Sequence, residues 1–154
     1  MIDRSKSWLA PLLLAVALCI AAPAAAQTSD APPVERTYAV ALVRDVMALI
    51  NHGNWTGNYT VLRDSADAEF ASANDPTRLA ALFLQIRTER LDLLQTLVTD
   101  PVILRSDVSG GTSELRLTGY FPLQPRHVSF DLTFRRELSR YRLTGISVGA
   151  FDPL

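Results

Sequence analysis

Glu114-Leu115-Arg116-Leu117-Thr118-Gly119-Tyr120-Phe121-Pro122-Leu123-Gln124-Pro125-Arg126-His127-Val128-Ser129-Phe130-Asp131-Leu132-Thr133-Phe134-Arg135 holds two runs of alternating residue type. In the first, Leu115, Leu117, Gly119 and Phe121 share one face, and Glu114, Arg116, Thr118 and Tyr120 the other. In the second, Val128, Phe130, Leu132 and Phe134 alternate with His127, Ser129, Asp131, Thr133 and Arg135. Side chains along a strand point to opposite faces with a period of two, so each run reads as a half-buried antiparallel strand. A two-residue turn at Leu123-Gln124, between Pro122 and Pro125, would set Asp131 opposite Arg116 and His127 opposite Tyr120.

C-terminal to this hairpin, Tyr141 and Leu143 point one way while Ile146 and Val148 belong to the other phase. The switch at Gly145 predicts a bulge that bends the sheet. On the N-terminal side, Val102 to Leu104, after Pro101, reads as an earlier strand. Before that the period lengthens. From about Glu35, Tyr38, Leu42, Val46, Leu49 and Ile50 recur at three- and four-residue spacing, one face of a helix. Gly53 suits its C-terminal cap and Asn54 the start of the next segment, in which Trp55, Tyr59 and Leu62 share a face. Ser65 is expected to cap a further turn ending near Ala73. Asp75-Pro76 is the strongest start signal, an acid at the N-cap and a proline at the first helical position. Leu79, Leu82, Phe83 and Ile86 follow it, so helix is expected over 76–90. Helices first and a bent antiparallel sheet after them is an α+β order.

The 154 residues are 48% apolar, but 19 of the first 26 are apolar and distort that figure. Arg4 and Lys6 precede an apolar run from Leu9 to Ala22, and Pro23 and Ala24-Ala25-Ala26 close it. This is the layout of a secretory signal peptide over residues 1–26, cut after Ala26. The run is shorter than the roughly 20 residues needed to span a bilayer. Cys19 follows Leu18 rather than a small residue, so it reads as part of the apolar run and not as a lipid-modified cysteine. Residues 27–34 form a polar, proline-bearing linker, and 35–154 a single domain.

The 128 residues after Ala26 carry 13 arginines against 15 acids, with no lysine and no cysteine. Disulfides, thiol nucleophiles, cysteine metal ligands, Schiff-base chemistry and Walker-type phosphate binding all fall away. A net acidic exported chain without a basic-aromatic motif is no nucleic-acid binder. A cysteine-free secreted domain with its own core fits the periplasm, with no membrane span left after cleavage.

Several stretches together carry a resemblance: Asn54-Trp55-Thr56-Gly57-Asn58-Tyr59, Leu115-Arg116-Leu117-Thr118-Gly119-Tyr120-Phe121-Pro122, Val128-Ser129-Phe130 and Tyr141-Arg142-Leu143-Thr144-Gly145-Ile146. Over about residues 36–150 the chain resembles the nuclear-transport-factor-2-like (cystatin-like fold) superfamily, and within it small secreted bacterial members. The likeness rests on element order and strand texture, not on a catalytic motif. It implies a curled sheet wrapped over helices as a cone with an apolar pocket, and often a homodimer through the sheet. The superfamily spans isomerases, cyclases, hydrolases and proteins with no known chemistry, so the fold does not select a function.

Trp55 and Tyr59, with Phe83, Phe121 and Phe130, are the residues expected to line such a pocket. Tyr59, Asp92 and Asp131 are the acid-base candidates if the cone houses an enzyme. Resemblance to ketosteroid isomerases would pair a sheet aspartate with a tyrosine, but the alternation sets Asp131 on the face away from Phe130 and Leu132. Gly145-Ile146-Ser147-Val148-Gly149 has the nucleophile-elbow spacing, yet no histidine follows it to complete a triad. His52 and His127 lie in different elements without metal-ligand spacing, and His52 reads as a cation at a helix end. Asn54 and Asn58 begin formal glycosylation acceptors that read better as caps and turns. Arg116, Arg135 and Arg142, with Glu114 and Asp131, form a mixed outer face suited to solvent or to a dimer contact. The sequence thus points to a periplasmic binder of a small apolar ligand or of a protein partner in the envelope, with no metal and no cofactor. The alternative is a small cofactor-independent isomerase, cyclase or hydrolase.

Overall fold

A computed structural model describes residues 34–109 and 113–153; the expected signal peptide and nearly all of the expected linker lie outside them. Helices α1 (Arg36–Thr56), α2 (Thr60–Ser65), α3 (Ala68–Ala73), α4 (Pro76–Leu82) and α5 (Leu84–Thr88) precede a 3-10 helix (Leu93–Leu97). Strands β1 (Val102–Ser109), β2 (Glu114–Phe121), β3 (His127–Glu137) and β4 (Arg140–Phe151) follow in one antiparallel sheet of order β1-β2-β3-β4. The chain is α+β, with the helices on one face of the sheet. Among the described residues, no helix is long and apolar enough to cross a membrane.

The alternation in β2 and β3 is the core pattern. Leu115, Leu117, Phe121, Val128, Phe130, Leu132 and Phe134 are buried, and the residues that alternate with them on the other face are not. The hairpin register differs from expectation by two residues: Thr118, not Arg116, lies opposite Asp131, and Ser129, not His127, lies opposite Tyr120. The connection runs from Pro122 to Arg126 instead of turning at Leu123-Gln124 alone. A slip of two keeps every side chain on its face, whereas a slip of one would reverse them all. Both expected partners therefore survive as diagonal neighbours. Arg116 reaches Asp131 through two hydrogen bonds of 2.9 and 2.6 Å, and the rings of Tyr120 and His127 stack at 5.4 Å.

The bulge falls one residue before Gly145, the position at which the phase change placed it. Thr133 pairs with Gly145 and Phe134 with Leu143, which leaves Thr144 as the extra residue. Leu143 on one side of it and Ile146 on the other thus both reach the core. A second irregularity lies at Leu104, between the Ile103 and Arg105 pairings of β1. That strand runs to Ser109, well past Leu104.

The helical half needs more correction. α1 continues through Gly53 for another turn and ends at Gly57, whose φ of 72° is the left-handed cap conformation that glycine adopts without cost. His52 is consequently inside the helix and not at its end. Trp55 lies in the last turn of α1 while Tyr59 precedes α2, so the two share no helix face. The buried stripe of α1 is Ala39, Val43, Val46, Met47 and Ile50, with Leu42 and Leu49 half-buried and Tyr38 exposed against Tyr141. Ser65 closes α2, and Asp67 is the cap of α3, accepting from the Phe70 N–H at 2.7 Å. Asp75 caps α4 as expected, accepting from Arg78 N–H at 2.8 Å with Pro76 behind it. The helix over 76–90 is divided at Phe83 into α4 and α5, a break that buries Phe83 and Ile86 while leaving Leu82 exposed.

Candidate functional site

The five residues expected to line a cavity part company. Tyr59, Phe83, Phe121 and Phe130 are 0–3% exposed and belong to the packed core. Tyr59 stacks on Phe83 at 5.7 Å, and Phe121 tilts against Phe130 at the same distance. Trp55 is 76% exposed and lies outside that core. It forms one wall of a depression of about 260 Å³ that Asn54, Ile86, Arg87, Arg90 and Leu91 complete.

Three local features build this depression. The first is the extra turn of α1, which carries Asn54 and Trp55 past Gly53. The second is the end of α5. Leu91 N–H donates to Ile86 O at 3.1 Å and Arg90 N–H to Arg87 O at 3.0 Å, the paired bonds of a Schellman ending. The left-handed residue of that ending is Arg90, with φ 52°, where glycine is usual. The third is a polar relay under the floor. Arg87 Nη1 donates to Tyr59 Oη at 2.7 Å, and Tyr59 Oη donates to Asn54 Oδ1 at 2.6 Å. Because a guanidinium can only donate, the phenol must pass its own proton on to an acceptor, which fixes the Asn54 amide with its oxygen toward Tyr59. Asn54 Nδ2 is then shielded from solvent with no acceptor among the described residues.

The electrostatics of the depression are one-sided. No acid lines it, and neither Arg87 nor Arg90 pairs with a carboxylate among the described residues. Two guanidinium groups lie beside an indole and the aliphatic Ile86 and Leu91. Such a set suits a ligand with an apolar body and an acceptor-rich anionic end. The broader groove along α1 differs. Its Arg44 donates to Thr96 O at 3.1 Å, Thr99 O at 3.1 Å and Asp100 at 2.9 Å, and serves to dock the 3-10 helix.

The acid-base candidates are each committed to a structural partner. Asp92 accepts from Leu94 N–H at 2.9 Å and caps the 3-10 helix. Tyr59 is held in the relay just described. Asp131 lies on the outer face of the sheet, where the hydrogen bonds and charge of Arg116 hold its carboxyl below the usual carboxylate range, against a smaller opposing effect of burial. The Gly145–Gly149 pattern lies inside β4, with no turn after Ser147. His127 Nδ1 is 3.2 Å from Leu123 O, and its ring packs between Tyr120 and Phe151. Asn58 Oδ1 accepts from Thr60 N–H at 2.9 Å, the turn role expected of it.

The sequence reading missed Arg87, Arg90 and Leu91. Its one usable signal was a basic pair bracketing Glu89 at the end of an amphipathic run, which by itself is common on helix surfaces. Comparison with protein-family models, curated proteins and solved structures finds no match for this chain.

Proposed function

We propose that the protein is an exported binding module whose ligand is a small amphipathic anion, its apolar part on Trp55 and its carboxylate or similar group between Arg87 and Arg90. The observation that carries this reading is the exposed indole beside two arginines that pair with no carboxylate among the described residues. A large exposed aromatic in a concave setting is a recognised anchor for ligands. Export rests on the leader sequence of residues 1–26. Membership of the nuclear-transport-factor-2-like superfamily belongs to the same proposal, supported by the helix-first order and the bulged four-stranded sheet. In this reading the ligand lies at the surface, since the side chains that would line a central cone pack against each other.

Trp8 belongs to the leader, so Trp55 is the sole tryptophan of the chain after Ala26. Its intrinsic fluorescence reports directly on the site. Titration of residues 27–154 with a panel of aromatic and medium-chain carboxylates, alongside their amides, should give a saturable change for acids and none for amides. The change should vanish in Arg87→Gln and Arg90→Gln. Acids and amides acting alike, or no member of the panel acting, would refute the assignment.

A further inference from the structure

β1 is an edge strand: it pairs with β2 on one side, and among the described residues nothing pairs with the other. Proteins blunt such edges with charge, bulges or proline. β1 has a bulge at Leu104 and charges at Arg105 and Asp107, but the charges have opposite signs. Both lie on the outer face, in register with Thr118 and Arg116 of β2, and they contact each other at 3.3 Å.

We infer that β1 pairs with β1 of a second copy of this chain, antiparallel, across a two-fold axis at Ser106. The register follows from symmetry and charge. An axis normal to the sheet has to pass through a residue for core face to continue onto core face, because neighbouring residues point to opposite faces. Centred on Arg105, it sets that arginine against its own copy; centred on Asp107, it does the same with the aspartate. Like charges directly opposite are destabilising. Centred on Ser106, Arg105 faces Asp107 of the second copy and Asp107 faces its Arg105, so both pairs are complementary. The same register sets Leu104 opposite Val108. Leu104 is 70% exposed, and Val98, on the approach to β1, is 86% exposed. An edge that merely had to repel strangers would carry one sign of charge.

Sedimentation and light scattering on residues 27–154 test this directly. The wild type should be a dimer at micromolar concentration. Arg105→Asp and Asp107→Arg should each weaken self-association by roughly tenfold or more, since each sets like charges opposite in both symmetric pairs. The two variants mixed in equal amounts should associate with each other, because the mixture restores both opposite-sign pairs. The double exchange Arg105→Asp/Asp107→Arg should dimerise again. Circular dichroism shows that each single variant is folded, and the mixture and the double exchange remain informative if one is destabilised. A monomeric wild type, single variants that dimerise as well as wild type, or a mixture that stays monomeric would each overturn the inference. A monomeric wild type would leave the edge to a strand from a different protein.

Discussion

The ring of Tyr59 lies where a β-carbon on Gly53 would have to sit. Gly53 is buried in the helical interior of α1, so its absent side chain serves close packing and not a turn. Replacing it by alanine gains about 1 kcal/mol of helix propensity. Overpacking against a ring held by two hydrogen bonds costs about 1–3 kcal/mol. Gly53→Ala should therefore destabilise the fold on urea unfolding. In a Tyr59→Leu background the same substitution should change sign and stabilise, which would identify the contact and not the helix as the cause.

Asp67 is 4% exposed and joins three parts of the molecule. Its carboxylate caps α3, its second oxygen takes Arg135 Nη1 at 3.0 Å, and its N–H donates to Leu143 O at 3.0 Å beside the bulge. Asp67→Ala loses cap and ion pair together and should cost about 2–3 kcal/mol. Asp67→Asn keeps the cap and should cost less. Equal losses in thermal or urea unfolding would show that the cap contributes nothing beyond the ion pair.

Asp131 supplies a pH prediction. Arg116 holds its folded-state carboxyl below the ordinary range. A group so depressed contributes stability that is present above its unfolded value, roughly pH 4, and is lost as pH falls through the folded one. An NMR titration should find the Asp131 midpoint below the ordinary aspartate range, and Arg116→Gln should raise it. The pair is solvent-facing, so its effect on stability should be small and should shrink with added salt.

Why the sheet was legible and the helices less so follows from what each pattern encodes. Period-two alternation fixed the buried faces of β2 and β3, and the phase conflict between Leu143 and Ile146 located the bulge within a residue. The turn was not legible to the same precision, but a two-residue error conserves faces, so Arg116 and Asp131 still meet. β1 was seen only to Leu104 because Arg105, Ser106 and Asp107 are polar on both faces, as an edge strand allows. Gly53 read as a terminator because glycine usually is one; that Tyr59 needs its space is a tertiary fact. Trp55 read as a partner of Tyr59 for the same reason, since four-residue spacing means a shared face only when both residues occupy one helix. The site at Arg87 and Arg90 depends on where α5 ends relative to α1, which no local pattern specifies.

Arg90 offers a test in which stability and binding move in opposite directions. Its φ of 52° is the left-handed ending of α5, a conformation in which a β-carbon is unfavourable by about 1 kcal/mol relative to glycine. Nothing in the Schellman hydrogen bonds requires a side chain there, because both are made by backbone groups. Arg90→Gly should therefore raise stability by about 1 kcal/mol in urea unfolding. If the guanidinium is kept at this strained position to hold an anion, the same variant should lose carboxylate binding reported by Trp55. Arg90→Lys separates charge from geometry: it keeps the strain and the charge but not the fork that grips both oxygens of a carboxylate, and should bind weakly. A glycine variant that gains stability yet titrates like wild type would leave the arginine without a part in the site, and the anion would then have to be held by Arg87 alone.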